Sequence, residues 1–305
     1  MFKAKAQRIL GRLKNQFVAH GHEQAYYGRS ALGKSLHRTA GTQAAVVVHL
    51  FYTEMWPDFI RQLKHLNAHQ FDLFITLPVQ NADFASTIQR DFASAQVVST
   101  PNRGRDVLPF IKLAAVLDQL GYQYVLKLHS KKSTHRTDGN EWLSQITSSL
   151  LPADSRVMDK IINTLESSTT GIIGPQEQYL SLPVNYEANR RHILAILARI
   201  LGSQAAQQID EHRDEYGFFA GTMFWARFDA IRPVLLQGFA ARVFEPEQGQ
   251  IDATFAHALE RVFCLIPELE GKRMYEAKPK TVVELDYKTD NIPDWSDVYV
   301  GPTST

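Results

Sequence analysis

Two clusters of positively charged residues lie about twenty positions apart in this chain of 305 residues. Residues 102–106 read Asn-Arg-Gly-Arg-Asp, and residues 129–133 read His-Ser-Lys-Lys-Ser. Arg and Lys side chains bind phosphate oxygens through charge-assisted hydrogen bonds, and a glycine lets the backbone approach a ligand closely. A single such cation is usually solvated surface charge, but the two clusters together predict a site for an anion, in particular a diphosphate.

Each cluster follows a segment of strand character. The β-branched run 96–100 precedes the first cluster, and the apolar run 122–128 precedes the second. Asp106 stands before apolar residues at helical spacing, with Pro109 in the first turn, so it is predicted to be an N-cap. A helix N-terminus offers free N–H groups to an anion, and ligands of open α/β sheets gather outside the carboxyl ends of the strands. Both clusters are therefore expected at one edge of a sheet.

The elements that position these clusters are predicted to be alternating strands and helices. Near-continuous apolar runs indicate parallel strands over 44–51, 71–79, 96–100 and 122–128, with helices ending near 66 and spanning 82–92 and 107–120. After residue 129 the pattern predicts helices over 141–150, 156–165, 190–201, 228–236 and 251–263, a strand over 171–175 and a loop over 179–189. A charged tail is predicted from 272, with its last few residues mobile. The predicted fold class is α/β.

The amino-acid composition limits the possible domain organisation and function classes. With 44% hydrophobic residues, the chain can bury a core of one large domain with appendages or of two small domains. A net charge of +1 gives no overall field that would attract nucleic acid. The lone Cys264 excludes an internal disulfide and is expected to be a small buried hydrophobic residue.

Residues 1–40 form a basic arm, with eight Lys and Arg residues against one Glu. Apolar residues at helical spacing within it fit either an interfacial helix on an anionic membrane or a helix docked on its own domain. No signal peptide pattern and no run long enough to span a bilayer is present in the sequence. The expected location is the cytoplasm, with peripheral contact to the inner membrane as the alternative that the arm offers.

Four motifs resemble those of the rhamnan synthesis protein F family. They lie at 102–106, 127–133, 221–227 and 252–261, and the resemblance covers about residues 44–270 in the same order. It implies a GT-A-like glycosyltransferase, in particular a rhamnosyltransferase, of bacterial surface polysaccharide assembly such as the lipopolysaccharide O-antigen. The expected partners are a nucleotide-diphosphate sugar donor and a polysaccharide or lipid-linked oligosaccharide acceptor. The implied division is the arm 1–40, a domain over 41–270 with donor half to about 135, and a tail 271–305.

One motif departs from the GT-A pattern. Such enzymes usually carry Asp-X-Asp after the fourth strand to hold a divalent metal, whereas this chain has His129-Ser130-Lys131. A hard cation needs oxygen ligands that this segment does not offer, so we expect no metal cofactor. The positive charges of Arg103, Arg105, Lys131 and Lys132 are expected to stabilise the departing diphosphate instead.

An inverting transfer needs a general base within hydrogen-bond reach of the acceptor hydroxyl. The resemblance places the catalytic carboxylate at Asp252, with Glu245 and Glu247 as rivals. The alternative for Asp252 is a plain N-cap of the last predicted helix.

The remaining site predictions concern donor and sugar contacts. Residues expected at the donor nucleotide and diphosphate are His49, Tyr52, Asn102, Arg103, Gly104, Arg105, Asp106, His129, Ser130, Lys131, Lys132, His257 and Arg261. His257 could instead pair with Glu260 or Glu54. Gly221, Thr222, Phe224 and Trp225 are expected to close over the sugar, with the aromatic rings stacked on it or packed in the core.

A second function class stays open. A non-catalytic module that binds nucleotide or phosphorylated glycan would show binding without turnover, and it would be indifferent to Asp252→Asn. A nucleic-acid binder is disfavoured, because the basic residues lack interleaved aromatic residues and the chain beyond the arm is acidic.

Overall fold

The architecture is a mixed sheet covered on both faces by helices. The structure is a computed structural model, and it describes residues 27–66, 70–130 and 139–285. The strands are β1 Ala44–His49, β2 Phe71–Pro78, β3 Gln96–Thr100, β4 Tyr124–His129, β5 Thr170–Pro175, β6 Tyr179–Ser181, β7 Gly217–Phe219, β8 Phe224–Arg227, β9 Arg273–Lys278 and β10 Thr281–Glu284. The α-helices are α1 Trp56–Leu63, α2 Ala85–Asp91, α3 Val107–Gln119, α4 Gly139–Leu150, α5 Ser155–Glu166, α6 Tyr186–Ile200, α7 Ser203–Glu211, α8 Phe228–Leu235 and α9 Phe255–Leu269.

Eight strands form the central sheet, in the order β10-β9-β5-β8-β4-β1-β2-β3. The first four strands are parallel to one another, so their carboxyl ends meet at one edge. The register of β1 on β4 places His49 directly beside His129. Strand β8 runs antiparallel between β4 and β5, which places a strand of the predicted acceptor half inside the sheet of the donor half.

Alternate residues of the strands enter two separate cores. In β1, Ala45 and Val47 pack with α3, α6, α8 and α9, whereas Ala44, Val46 and Val48 pack with α1, α2, α4 and α5. All six residues of β1 and of β4 are buried, as expected for strands covered on both faces. The predicted α/β fold, with its four parallel strands and intervening helices, is confirmed.

Several predicted boundaries are wrong. The predicted loop 179–189 contains β6 and the start of α6, and α7 was not predicted. The last predicted helix begins at Phe255 rather than at 251. Part of the predicted tail, residues 273–284, pairs as β9 and β10 in the central sheet. The charged residues of β9 make its sequence resemble a surface segment, although Met274, Glu276 and Ala277 are buried.

The end of the basic arm packs against the body. Tyr27 and Leu36 are buried in the core, and the Thr39 N–H donates to Asp72 Oδ2 at 2.8 Å. Residues 1–26, which carry most of the predicted arm, lie outside the described residues. Among the helices that the structure describes, none is long and apolar enough to cross a membrane.

Candidate functional site

The candidate site lies where the carboxyl ends of β1 and β4 meet the start of α3. His49 and His129 end their strands there, and Asp106 directly precedes α3. The Ser130 N–H donates to the His49 carbonyl at 2.9 Å, and the Tyr52 N–H donates to Ser130 Oγ at 2.8 Å. The structure therefore brings these five predicted donor residues to one edge of the sheet.

A buried ion pair forms the base of this edge. Lys127 Nζ donates to Asp106 Oδ2 and, at 2.7 Å, to the Thr222 carbonyl, while Thr222 Oγ1 donates to Asp106 Oδ2 at 2.9 Å. The side chain of Lys127 is 1% exposed and that of Asp106 12%. Burial raises the pKa of Asp106, but the charges of His129 and Lys127 outweigh it and hold that pKa well below its ordinary value. Burial lowers the pKa of Lys127, and Asp106 opposes this shift.

Asp106 is in the N-cap position that the sequence predicts, but its side chain does not cap α3. The N–H groups of Val107 and Leu108 donate instead to the Gly104 carbonyl, Pro109 has no N–H, and Phe110 donates to the Asp106 carbonyl. The prediction that the first turn of α3 offers free N–H groups to an anion is therefore wrong. Of the two contributions expected from a helix N-terminus, free N–H groups and partial positive charge, the start of α3 can offer an anion its partial positive charge.

His129 and His49 are buried and hydrogen-bonded. His129 Nε2 donates to the Gly221 carbonyl at 2.6 Å, and His49 Nδ1 lies 2.9 Å from Thr76 Oγ1. Burial lowers the pKa of His49 to about 3, which keeps the imidazole neutral in the folded protein. Both imidazoles therefore help to hold the edge together, and their predicted contact with donor stays a prediction.

The two arginines of the first cluster have different surroundings. Arg103 donates from Nε to the Ala241 carbonyl at 2.7 Å and from Nη2 to the Phe244 carbonyl at 2.5 Å. It thereby fastens the segment that follows α8, which gives it a structural role beside the predicted diphosphate contact. Asn102 is exposed on the preceding turn.

Arg105 lines a small surface cavity. The cavity is bounded by Gly104, Arg105, Glu245, Glu247, Gln250, Thr254 and Ala256. The Arg105 N–H donates to Glu247 Oε1 at 2.9 Å, and Arg105 Nη1 donates to the Gln250 carbonyl at 2.7 Å. A cation and two carboxylates thus lie together beside the end of the sheet.

The backbone at this cavity is sharply turned. Gly104 has φ of 67° and Arg105 has φ of 57°, both in the left-handed region. A Cβ at Gly104 would lie 2.6 Å from Leu108 Cβ, so the turn needs glycine for its conformation and for its close packing. A non-glycine residue in this region is strained, and such strain concentrates at ligand sites.

Asp252 lies beside the cavity in a group of polar side chains. Asn189 Nδ2 donates to Asp252 Oδ1 at 2.9 Å, Arg261 Nη2 lies 3.6 Å from Asp252 Oδ2, and His257 Nδ1 lies 3.9 Å from Asp252 Oδ1. Thr254 is the N-cap of α9, since its Oγ1 accepts from the His257 N–H, so the N-cap alternative for Asp252 is wrong. The ring of His257 contacts Thr254, Asp252 and Arg105, and the alternative that it pairs with Glu260 or Glu54 stays a prediction.

Glu245 and Glu247 differ in their exposure. Glu245 Oε2 accepts from the Phe255 N–H at 2.9 Å at the start of α9, and its side chain is half-buried. Glu247 is exposed and holds the Arg105 backbone through one of its two oxygens. Of the three predicted carboxylates, Glu247 is the one that solvent reaches most freely.

The aromatic residues predicted at the sugar are core residues. Phe224 and Trp225 are each 1% exposed on β8, in the middle of the central sheet. The Phe224 ring packs edge-on against Phe110, and Trp225 Nε1 donates to the Leu150 carbonyl at 2.9 Å. Because both rings fill the core on opposite faces of the sheet, the prediction that they stack on a sugar is corrected to core packing.

The described residues do not offer a donor set for a divalent cation. In residues 27–66, 70–130 and 139–285, no group of three or more His, Cys, Asp and Glu side chains is arranged to hold a metal. At the end of β4, His129 and Ser130 are already hydrogen-bonded to protein groups. Lys131 and Lys132 lie outside the described residues, so metal independence stays a prediction.

Two residues at this edge escaped the sequence predictions of site function. Lys127 could have been found from the sequence, since a lone cation within an apolar strand is expected to be buried and paired with an acidic group. Glu260 accepts from the Gly221 N–H at 2.7 Å and from Arg261 Nη1 at 3.2 Å. Its position on α9 gave no sequence signal, because acidic residues on helices are usually solvated.

Residues 26–271 match the family model described as rhamnan synthesis protein F. Two relatives are uncharacterized proteins named WxcX from Xanthomonas campestris pv. campestris. The protein of strain ATCC 33913 is 35% identical over 232 residues, and that of strain B100 is 36% identical over 233 residues. Each alignment covers 76% of this chain and 32% of the relative, so the chain spans about a third of the length of these proteins.

Proposed function

Because this chain belongs to the rhamnan synthesis protein F family, we propose that it is a glycosyltransferase that moves a sugar from a nucleotide diphosphate donor. The family is linked to polysaccharide synthesis, so a polysaccharide or lipid-linked oligosaccharide is the proposed acceptor. The observation that carries this proposal is the grouping of Arg105 with Glu245 and Glu247 around the turn that follows β3. An inverting transfer without a metal needs a cation for the leaving group and a base for the acceptor proton, and these side chains are of the types that supply them.

Arg105 is the proposed contact for the donor diphosphate. Negative charge grows on the leaving diphosphate as the glycosidic bond breaks, and a fixed guanidinium stabilises it. The hydrogen bonds of its N–H and Nη1 hold Arg105 in place before a ligand arrives, so little reorganisation is needed. The nucleoside then extends toward the carboxyl end of β1, where His49 and Tyr52 lie.

Glu247 is the proposed general base of an inverting transfer. Asp252 is held by Asn189 at one carboxylate oxygen and faces the Arg261 guanidinium at 3.6 Å with the other, so both oxygens are directed at protein groups. Glu245 is engaged at the start of α9. Glu247 keeps one carboxylate oxygen beyond its bond to Arg105 and faces solvent, from which an acceptor hydroxyl would come.

Metal independence is part of the proposal. The chemistry that a divalent ion supplies in related folds, neutralisation of the leaving diphosphate, is assigned to Arg105 together with Lys131 and Lys132. We place the reaction in the cytoplasm, with the basic N-terminal segment as the part that would contact an anionic membrane.

The test is a panel of nucleotide sugars, including nucleotide-linked rhamnose, mixed with the protein in EDTA. Release of nucleoside diphosphate from one donor, unchanged by added Mg²⁺ or Mn²⁺, is the expected result. If no donor is bound or hydrolysed, the proposal is wrong. Donor binding without turnover, also in the presence of lipid-linked oligosaccharide, would favour the non-catalytic binding module.

The base is tested with Glu247→Gln and, as matched control, Glu187→Gln on the exposed face of α6. Glu247→Gln should lower kcat about 100-fold with little change in donor affinity, since a general base acts on the acceptor proton. If Asp252→Asn shows this loss and Glu247→Gln does not, Asp252 is the base instead.

A further inference from the structure

The turn Gly221–Thr222, between β7 and β8, adopts an unusual backbone conformation. Gly221 has φ of 88° and Thr222 has φ of 50°, so two consecutive residues lie in the left-handed region. A threonine there is strained because its side chain is β-branched. Such a conformation persists only where the surroundings hold it.

Polar side chains from two elements, β4 and α9, hold this turn. On one side, Lys127 and His129 of β4 donate to the carbonyls of Thr222 and Gly221 at 2.7 and 2.6 Å. On the other side, the Gly221 N–H donates to Glu260 of α9 at 2.7 Å. The side chain of Glu260 is 15% exposed.

Thr222 links the same turn to the start of α3. Its Oγ1 donates to Asp106 Oδ2 at 2.9 Å. The residue before Asp106 is Arg105, the proposed diphosphate contact. A displacement of the turn would therefore act on the arginine through Asp106.

Glu260 reaches Arg105 by a second route. Its Oε2 accepts from Arg261 Nη1 at 3.2 Å, and Arg261 Nη2 lies 3.6 Å from Asp252 Oδ2. Asp252 lies 3.9 Å from His257 Nδ1, and His257 Nε2 accepts from Arg105 Nη1 at 3.2 Å. The two routes close a ring of polar contacts, in which Glu260 joins the turn to Arg261.

We propose that Glu260 is a positioning residue, which fixes the Gly221–Thr222 turn and, through the ring, the place of Arg105. Its effect on the donor rests on the proposed function. The effect of Glu260 on the turn and on Arg105 is independent of the proposed function. The position of these residues and the affinity for donor are therefore measured separately.

The first measurement is amide hydrogen exchange of the full chain, for Glu260→Ala and Glu260→Gln, with Glu211→Ala on the exposed face of α7 as control. Glu260→Ala should raise exchange about tenfold in both 217–224 and 103–107, with most other segments unchanged. Glu260→Gln should raise exchange less than Glu260→Ala, since its amide oxygen can still accept from the Gly221 N–H although the acceptor for Arg261 Nη1 is lost.

Two exchange results would overturn the proposal. In the first, exchange rises in 217–224 while 103–107 stays unchanged, so the turn does not act on Arg105. In the second, exchange rises in all segments together with a lower melting temperature, so Glu260 contributes general stability only.

The second measurement is calorimetric titration with thymidine diphosphate and with guanosine diphosphate. For the nucleotide that the parent protein binds, Glu260→Ala should raise Kd about tenfold and Glu260→Gln less than about threefold. Equal affinity of parent and Glu260→Ala would overturn the proposed effect on the donor. If the parent protein binds no nucleotide in the donor panel either, the proposed function fails, and the exchange result still decides the positioning of Arg105.

Discussion

The pair Lys127–Asp106 carries two charges into the interior, and their mutual attraction compensates the loss of hydration. Lys127 also donates to the Thr222 carbonyl, and the Phe110 ring lies 5.4 Å from its Nζ. Removing one partner of a buried pair leaves the other charge without compensation, which is more costly than removing both.

Lys127→Met should therefore lower the free energy of unfolding by about 3 to 5 kcal/mol. Lys127→Met combined with Asp106→Asn should lose less than Lys127→Met alone, because no uncompensated carboxylate remains. Denaturant unfolding of both variants measures this difference. A double variant less stable than Lys127→Met would show that the two side chains are not coupled as the contacts indicate.

His49 predicts a specific dependence of stability on pH. The unfolded chain binds a proton near the ordinary histidine pKa of 6.5, whereas burial lowers the pKa of folded His49 to about 3. Stability from this residue is therefore fully present above pH 6.5 and is lost as the pH falls toward 3. At pH 5 the loss is about 2 kcal/mol.

The measurement compares the parent protein with His49→Asn at pH 7 and pH 5. The advantage of the parent in free energy of unfolding should shrink by about 2 kcal/mol at the lower pH. His212→Asn, at a half-exposed histidine, is the control. Its free energy of unfolding should change between pH 7 and pH 5 by as much as that of the parent protein. A constant advantage of the parent over His49→Asn would contradict a buried neutral imidazole.

The sequence predicted which residues gather at the edge better than what their side chains do there. Asp106 occupies the position before a helix that favours an N-cap, but its partners are on β4 and at Thr222, far along the chain. Local sequence patterns do not predict contacts between residues that are far apart along the chain. For Trp225 the sequence left sugar stacking and core packing both open, because an aromatic residue after two glycines fits a ligand loop as well as a central strand.

Among the elements, β5 depends on a close contact at a glycine. Gly174 lies where an added Cβ would come within 2.2 Å of Phe219 ring atoms, and Phe219 is 1% exposed on β7. Gly174→Ala should lower the free energy of unfolding by about 1 to 3 kcal/mol through overpacking. Thermal and denaturant unfolding measure the loss.

The control is Gly174→Ala in a chain that also carries Phe219→Leu. If the ring causes the strain, the double variant should be more stable than the sum of the two single losses predicts. Additive losses would place the strain elsewhere.

Elements were predictable in proportion to their length and regularity. Parallel strands such as β1 are continuous apolar runs, and no competing element has that pattern. The three-residue β6 is too short to show a period, and β9 carries three charged residues in six, one of them the buried Glu276, so its sequence resembles a surface segment. Helix α7 has only Ala206 and Ile209 buried, which gives a weak amphipathic signal.

At the scale of the whole molecule, the central sheet is shared by both predicted halves and extends past the matched family region. Residues 26–271 match the family, yet β9 pairs with β5 beyond that limit and buries Met274 and Ala277. Ending the chain at residue 271 would expose the hydrogen-bonding edge of β5 and the core beneath it.

A chain of residues 1–271 should therefore lose its cooperative thermal transition or aggregate, whereas the full chain should unfold cooperatively. Circular dichroism during heating, together with the soluble yield, measures the difference. A truncated chain that melts at the temperature of the full chain would show that β9 and β10 add nothing to the fold.

Arg105 is the proposed cation at the donor diphosphate, on which the proposed transfer depends. The most direct measurement is the rate of nucleoside diphosphate release by Arg105→Gln, compared with Arg90→Gln on α2, where the Arg90 side chain is 70% exposed. We expect kcat/KM to fall about 100-fold in Arg105→Gln and to stay at the parental value in Arg90→Gln. Equal rates for Arg105→Gln and the parent protein would contradict the assignment of the diphosphate to this cavity.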